Sequence, residues 1–205
     1  MARRTGRRPG KTDTRDAILA AAREGFGERG YDATSMRAIA TAAGVDPALI
    51  HHYFGTKEQL FVATLNMPMR PGELLPQVVA GGAHEAGERL VRTFLRVWDS
   101  PAGAAGAALL RSGVSNEWTA RLLREFLTTQ ILRRLMKLLE LEGPDAPMRA
   151  NLAASQIMGM AMARYIIKLE PLATAPSETV VAAVGPTIQR YLTGDLRLPA
   201  NTPPG

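Results

Sequence analysis

The sequence contains no cysteine, which excludes disulfides, thiolate metal sites and cysteine nucleophiles. Aromatic residues make up only 5% of the 205 residues, and the period-two runs of β-branched residues that are typical of strands are nearly absent. No apolar run approaches the ~20 residues of a membrane span, and residues 18–22 are too short for the apolar part of a signal peptide. These absences predict an all-α cytoplasmic protein without a membrane partner.

Apolar residues account for 46% of the chain, which is enough for a hydrophobic core. Alanine, leucine and methionine are abundant and favour helices. Arginine outnumbers lysine, a bias typical of GC-rich bacterial genomes. The composition therefore predicts a helical bacterial protein.

Positive charge is concentrated at the N-terminus of a chain whose formal net charge is +6. The basic residues that precede the first acidic residue are Arg3, Arg4, Arg7, Arg8 and Lys11. Such a run is either a solvated tail or a flexible arm that binds DNA phosphates or a minor groove. We expect residues 1–12 to be disordered, and the run alone does not decide between these roles.

Residues 13–66 have the start and stop signals of short helices. The predicted spans are residues 13–29, 35–43, 47–54 and 56–67. Gly30 and Gly44 follow the ends of the first two, where a left-handed backbone is usual. Asp46 and Pro47 open the third, because aspartate is a strong N-cap and proline loses nothing at the first helical position.

The second and third of these helices satisfy the requirements of a helix-turn-helix motif. Such a motif needs a small residue at the helix crossing, a turn residue that tolerates positive φ, and apolar residues that fix the interhelical angle. The residues in these roles are Ala40, Gly44, Ile39, Ala43, Val45 and Ile50. The second helix of the motif enters the major groove of DNA. A plain helical hairpin inside an all-α core fits the same pattern.

A longer pattern resembles the DNA-binding domain of the TetR family of bacterial transcriptional regulators. The matching segments within residues 15–65 are AILAAAREGFGERGYDATSMRAIA, AAGV and HHYFGTKEQL. The resemblance implies a three-helix DNA-binding head and a fourth helix that acts as a connector. It also implies a divergent helical C-terminal domain that dimerises and binds a small effector, which releases the DNA.

The same resemblance implies which residues contact DNA. The residues expected at phosphates are Thr34, Ser35, Tyr53 and Lys57, through hydroxyl, ammonium or backbone N–H groups. The residues expected in or beside the major groove are Arg37, Pro47, Ala48, His51 and His52. We expect these groups together to form the surface that meets double-stranded DNA.

Two positions depart from the family pattern, since the family most often has tyrosine at the position of His51 and often has glycine at that of Ala48. Alanine still permits close approach, and His51 can donate to guanine or pack against a thymine methyl. A metal or catalytic role for His51 and His52 is disfavoured, because adjacent residues on a helix point about 100° apart and no carboxylate lies at ligand spacing. Ordinary packing is the alternative to DNA contact, and we expect no metal or cofactor.

The sequence pattern of residues 67–195 predicts a larger helical domain. It begins with residues 67–72, which contain two prolines and a glycine and are expected to form a joint after the head. Its expected helices span residues 73–80, 84–99, 102–113, 117–142, 146–169 and 177–193. Residues 117–142 are so apolar that we expect them to cross the interior. The tail, residues 196–205, is expected to be disordered.

The resemblance implies that the last two helices of each subunit form a four-helix dimer interface. The residues expected there are Ile157, Met158, Gly159, Met162, Tyr165, Val181, Val184, Ile188 and Tyr191. An effector pocket is expected between the connector and the central helices, and its candidate residues are Phe94, Trp98, Trp118 and Phe126. These aromatic side chains also suit an ordinary core, and the methionines near Gly159 fit adaptable packing better than a cofactor site.

These patterns predict a homodimeric transcriptional regulator, expected to be a repressor that binds a palindromic site and is released by a small apolar effector. A constitutive or architectural DNA-binding protein without an effector is the first alternative. An enzyme is another, although no phosphate-binding loop or nucleophile elbow is present. A purely structural helical dimer is the last, and it would show no salt-sensitive binding to DNA.

Overall fold

The computed structural model describes residues 11–67 and 70–196, and within them the chain forms helices and no strands. The α-helices are α1 (Lys11–Ala33), α2 (Met36–Ala43), α3 (Pro47–Phe54), α4 (Lys57–Thr64), α5 (Pro71–Val79), α6 (Ala86–Trp98), α7 (Gly103–Ser115), α8 (Glu117–Phe126), α9 (Arg133–Leu138), α10 (Ala146–Ala161) and α11 (Ser177–Thr193). A 3-10 turn, Ala83–Glu85, precedes α6, while π-helical segments, Leu127–Leu132 and Met162–Ile167, join α8 to α9 and extend α10. The all-α prediction is confirmed.

The first helix begins earlier than predicted, at Lys11. Asp13 lies in its first turn, where a carboxylate interacts favourably with the helix dipole. The prediction of disorder is therefore wrong for residues 11 and 12. The other basic residues of the predicted arm, Arg3, Arg4, Arg7 and Arg8, lie outside the described residues.

Local caps and turns fix the short helices of the N-terminal head, which comprises α1 to α4. Gly30 has a φ of +81° and interrupts α1 at the predicted position. The Ser35 hydroxyl accepts a backbone N–H of the first turn of α2, and Gly44 ends that helix in the left-handed conformation. The Asp46 carboxylate caps α3, with Pro47 at its first position. The predicted boundaries of α2 and α3 are thus confirmed.

The fourth helix is shorter than predicted. It opens with a capping box, in which the Thr56 hydroxyl accepts the Gln59 N–H at 3.1 Å and the Gln59 side chain accepts the Thr56 N–H at 2.9 Å. It ends at Thr64, and Asn66 then has a φ of +51°. Because the chain leaves the helix in this left-handed conformation, the direction changes before Pro71 opens α5.

The core of the head is continuous with the C-terminal half of the chain. Phe26, Ile39, Ile50 and Phe61 are fully buried, and the rings of Phe26 and Phe61 have centroids 4.8 Å apart. Phe126 of α8 belongs to the same cluster, with its ring centroid 6.4 Å from that of Phe61. The head, including α4, is therefore packed directly on α8.

The last helix crosses α6 at very short range because glycines occupy the crossing. A Cβ atom added to Gly87 would lie 2.4 Å from the carbonyl oxygen of Gly185. Val181 and Ile188 belong to the C-terminal core on this side of α11, with only 1% and 0% of their surface exposed. This apolar stripe of α11 is thus part of its own subunit's core.

The prediction that residues 117–142 cross the interior is confirmed along one face. Leu122, Phe126, Leu135 and Leu139 are buried, whereas Trp118 and Leu138 are 38% and 40% exposed. Within this stretch, the Leu127–Leu132 segment has π-helical geometry. A wider turn shifts the register of the side chains along a helix, and the buried face continues beyond it.

Candidate DNA-binding surface and ligand cavity

Helix α3 presents one face to solvent while the other anchors it in the head. Its exposed residues are Pro47, Ala48, Leu49, His51 and His52. Ile50 and Phe54, four positions apart, are buried in the core of the head. Sequence reasoning missed Leu49, which the i, i+4 spacing of Ile50 and Phe54 leaves off the buried stripe. The exposed face has the small and hydrogen-bonding side chains that a major-groove helix needs.

The orientation of His51 determines which hydrogen bonds its ring could make with DNA bases. Its Nδ1 atom lies 2.9 Å from the carbonyl oxygen of Gly55. A carbonyl oxygen only accepts, so Nδ1 carries a proton and Nε2 remains for other contacts. In a neutral ring Nε2 accepts, which suits the amino group of adenine or cytosine. The predicted donation to guanine therefore requires a doubly protonated ring.

At the start of α2, two of the residues predicted to contact DNA are exposed and one is buried. Ser35 and Arg37 are exposed. Thr34 is 0% exposed, and its hydroxyl lies 2.8 Å from the carbonyl oxygens of both Gly25 and Gly30, to one of which it donates. The prediction that Thr34 binds a phosphate is wrong, because this hydroxyl is sealed beneath the end of α1.

Tyr53 lies in the last turn of α3, and Lys57 lies just beyond its C-terminal end. The Lys57 ammonium donates to the carbonyl oxygen of Asp32 at 3.3 Å and lies 4.5 Å from the centroid of the Tyr31 ring. Burial raises the pKa of Tyr31, so this ring carries no charge beside the ammonium at neutral pH. Tyr53 is half-buried, with its ring edge-on to His52 at 5.4 Å. Both candidates remain at the surface beside α3.

A cavity of about 150 Å³ lies among α5, α6, α7, α8 and α10. Phe94, Trp98 and Phe126 line it, as predicted for the effector pocket, but no residue of α4, the predicted connector, does. Trp118 does not line it. Its indole lies at the surface against α1, where a Cβ atom added to Gly27 would be 2.6 Å from its Nε1 atom. The prediction of Trp118 as a pocket residue is therefore wrong.

Several residues predicted at a dimer interface instead contact their own subunit. Val181 and Ile188 are buried against α6 and α10, so they have no surface left for a partner. Ile157 and Met158 line the cavity. The hydroxyl of Tyr165 donates to Asp99 at 2.8 Å, and burial raises the pKa of Tyr165 to about 12. The prediction of Val181 and Ile188 as interface residues is wrong.

The remaining interface candidates differ in how much surface they present. Val184 and Tyr191 are half-buried and pack against the C-terminal core. Gly159 is exposed, and nothing lies within 4 Å of a Cβ atom added there. Met162 is half-buried one turn further along. On α11, the exposed residues between Glu178 and Arg190 are Thr179, Ala182, Ala183 and Pro186.

Within residues 11–67 and 70–196, no group of histidine and acidic side chains is arranged to hold a metal ion. In the same part of the chain, no helix has the length and apolar character to span a membrane. Among the described residues, the exposed face of α3 and the apolar cavity are both surfaces that could recognise another molecule.

The fold and these features define a helix-turn-helix protein with a separate helical domain built around a cavity. The family description "Bacterial regulatory proteins, tetR family" matches residues 18–64, and "Tetracyclin repressor-like, C-terminal domain" matches residues 84–192. The chain belongs to the TetR family and is a DNA-binding transcriptional regulator.

Individual relatives match over either a short stretch or most of the chain. The transcriptional regulator BetI of Rhizobium meliloti is 47% identical over 66 residues, which is 32% of each chain. A transcriptional repressor of Mycobacterium tuberculosis is 46% identical over 57 residues, covering 28% of this chain and 30% of its own. The matched stretches thus span about a third of these curated relatives. A TetR-family regulator from Streptomyces coelicolor A3 is 41% identical, with 91% of this chain and 98% of that one covered and a TM-score of 0.46.

Proposed function

We propose that this regulator is a homodimeric repressor that binds a palindromic DNA site in the cytoplasm and is released by a small apolar effector. It acts through binding and not through catalysis. The observation that carries the proposal is the exposed face of α3, on which Ala48 and His51 lie clear of the core while Ile50 fixes the helix in the head. A related protein named as a repressor is 46% identical to this chain over 57 residues.

In the proposed complex, each subunit places its α3 in one major groove. The two recognition helices of a dimer then lie roughly 34–36 Å apart, one turn of B-form DNA. Ser35 and the N-terminus of α2, together with Lys57, bind phosphates on either side of α3. The basic residues Arg3, Arg4, Arg7 and Arg8 add an arm that follows the DNA backbone.

The proposed effector site has a direct physical route to the head. Phe126 lines the cavity and also belongs to the core of the head. Leu127 and Ile131, in the π-helical segment that follows, line the cavity and pack against the same core. A ligand that enlarges the cavity therefore displaces side chains on which the head rests.

Polar contacts on either side of the π-helical segment, from α8 and α9, also attach this region to the head. Arg134 pairs with Glu58 at the start of α4 at 2.5 Å, next to Lys57. Arg133 pairs with Asp32 at 2.6 Å, and the Glu125 carboxylate accepts the backbone N–H of Tyr31 at 3.1 Å. Movement of the π-helical segment is thus transmitted to α4 and to the end of α1. Changing the separation of the two α3 helices then lowers the affinity for DNA by a coupling free energy of typically ~1–3 kcal/mol.

Footprinting on the DNA upstream of the regulator's own gene tests the proposal. We expect two protected half-sites one helical turn apart, and binding that weakens steeply with salt. Ligands that stabilise the protein against heat are then added to the complex. A constitutive DNA-binding protein would keep the footprint with every stabilising ligand, and a structural dimer would give no footprint.

Replacing Lys57 by alanine should weaken binding to all DNA sequences alike. The ammonium is assigned to a phosphate, so its loss should lower the slope of log K against log salt concentration by ~1. Fluorescence anisotropy at several salt concentrations measures this slope. Lys137→Ala, at an exposed position on α9, is the matched control and should leave the slope unchanged. A changed sequence preference with an unchanged slope in Lys57→Ala would show that the assigned role is wrong.

Replacing His51 by alanine should relax the preference at one base position. Loss of a base contact of this kind costs ~1–3 kcal/mol at the preferred base. Competition binding with DNA sites that differ by single base pairs gives the loss at each position. His84→Ala changes an exposed histidine near α6 and should behave like the wild type. A uniform loss across all sites would assign His51 to the DNA backbone instead.

A further inference from the structure

The recognition helix lacks the side chains that most often read bases. The eight residues of α3 include no arginine, lysine, asparagine, glutamine or acidic residue, and these are the residues that make the common hydrogen bonds to base edges in the major groove. On its exposed face, the hydrogen-bonding side chains are His51 and His52. Apolar contact with the methyl group of thymine is another form of direct readout. The selectivity of α3 therefore depends in part on its apolar side chains.

Leu49 is the large apolar side chain on this exposed face. It is 38% exposed, and among the described residues no other large apolar side chain of the head is exposed. Pro47 and Ala48, beside it, have smaller side chains that extend less far from the helix. Apolar surface left in water is stabilised when a partner covers it. In a DNA-binding regulator, the partner that meets this face of α3 is DNA.

The position of Leu49 on the helix suits contact with a base edge. Successive residues of an α-helix advance by about 100°, so Leu49 and His51 flank the exposed face about 160° apart, with Ala48 and His52 between them. The opposite side of α3 is buried in the head. The small Ala48 lets the helix approach the bases closely, and a leucine beside it then reaches the level at which the thymine methyl projects into the groove.

We propose that Leu49 packs against the C5-methyl group of one thymine in each half-site and is a specificity-determining residue of this regulator. The inference rests on the proposed placement of α3 in the major groove, which it deepens by naming a base that the operator contains. Cytosine at this position lacks the methyl and presents an amino group, which a leucine leaves without a hydrogen-bond partner. Uracil lacks the methyl alone, so it isolates the apolar contact from the rest of recognition.

Fluorescence anisotropy with operators that lack single thymine methyls tests the proposal. In the palindromic site found by footprinting, each symmetric pair of thymines is replaced in turn by uracil, which pairs with adenine in the same way. At the thymine that Leu49 contacts, we expect the wild type to lose about fourfold in affinity for each methyl removed. Leu49→Ala should bind thymine and uracil equally there and respond like the wild type at the other positions. Alanine favours helices, so this variant should fold normally.

Leu138→Ala is the matched control, because Leu138 is a leucine of similar exposure, 40%, that lies on α9. It should keep the methyl dependence of the wild type at every position. The proposal is overturned if the half-site contains no thymine, if no uracil substitution weakens wild-type binding, or if every methyl effect persists in Leu49→Ala. Each of these results leaves the proposed function standing, whereas a wild-type protein that protects no paired half-sites would overturn both.

Discussion

The Ala48→Glu variant is expected to lose DNA binding by about a hundredfold or more, since like charges that face each other across an interface cost several kcal/mol. Ala48 is exposed, and its backbone N–H donates to the Asp46 carboxylate at 2.8 Å. It is the second residue of α3, where an acidic side chain interacts favourably with the helix dipole. The added charge should therefore repel the DNA without destabilising the head. Fluorescence anisotropy with operator DNA, together with thermal unfolding, separates these two effects.

A matched control is available at the start of α7. Ala104 is also exposed and is also the second residue of its helix, which begins at Gly103. Ala104→Glu adds the same charge at the second position of another helix, and we expect it to bind DNA almost as well as the wild type. Similar losses in the two variants would mean that net charge alone explains the effect. Normal binding by Ala48→Glu would show that α3 is not the recognition helix.

The parts of the fold that could be predicted from the sequence are those set by neighbouring residues. Gly44 ends α2 in a left-handed conformation, which glycine adopts easily. Asp46 caps α3 because its carboxylate accepts a backbone N–H two residues further along the chain. Such interactions span a few positions and leave a pattern in the sequence. This locality explains why the boundaries of α2 and α3 were correct.

The wrong site predictions concern residues whose role depends on which other part of the molecule packs against them. The family resemblance places Val181 and Ile188 at a dimer interface. Their apolar spacing predicts a buried face, but it does not show whether that face packs on the subunit's own core or on a second subunit. The family resemblance places Thr34 at a phosphate, although a hydroxyl at that point also reaches the carbonyl oxygens of Gly25 and Gly30. Trp118 was assigned to a pocket because it is aromatic, whereas its contact is with α1 through Gly27.

The route from the cavity to the head was likewise hidden in the sequence. The Arg134–Glu58 pair joins residues 76 positions apart, and no local signal links them. The π-helical turns at Leu127–Leu132 place Leu127 and Ile131 against both the cavity and the head. Wide turns of this kind are enriched at functional sites. The coupling proposed for this regulator thus depends on features that only the three-dimensional structure shows.

The Gly159→Arg variant is expected to be monomeric and to bind the palindromic site about 10²- to 10⁴-fold more weakly, because linking two half-site contacts raises the overall affinity by that factor. Gly159 is exposed on α10, and a Cβ atom there meets nothing within 4 Å in its own subunit. Arginine favours helices over glycine by roughly 1 kcal/mol, so the isolated subunit should not be destabilised. The side chain would instead hold apart two subunits that approach through α10 and α11.

Sedimentation velocity at micromolar protein concentration measures the oligomeric state, and anisotropy with one half-site and with the full palindrome measures the two affinities. Gly159→Ala is the control, since a methyl group still permits close approach, and it should remain dimeric with normal affinity. For Gly159→Arg, affinity for a single half-site should be unchanged while the gain from the second half-site disappears. A Gly159→Arg dimer with normal affinity for the palindrome would place the interface away from α10, because an arginine at the centre of a close helix contact cannot be accommodated without separating the helices.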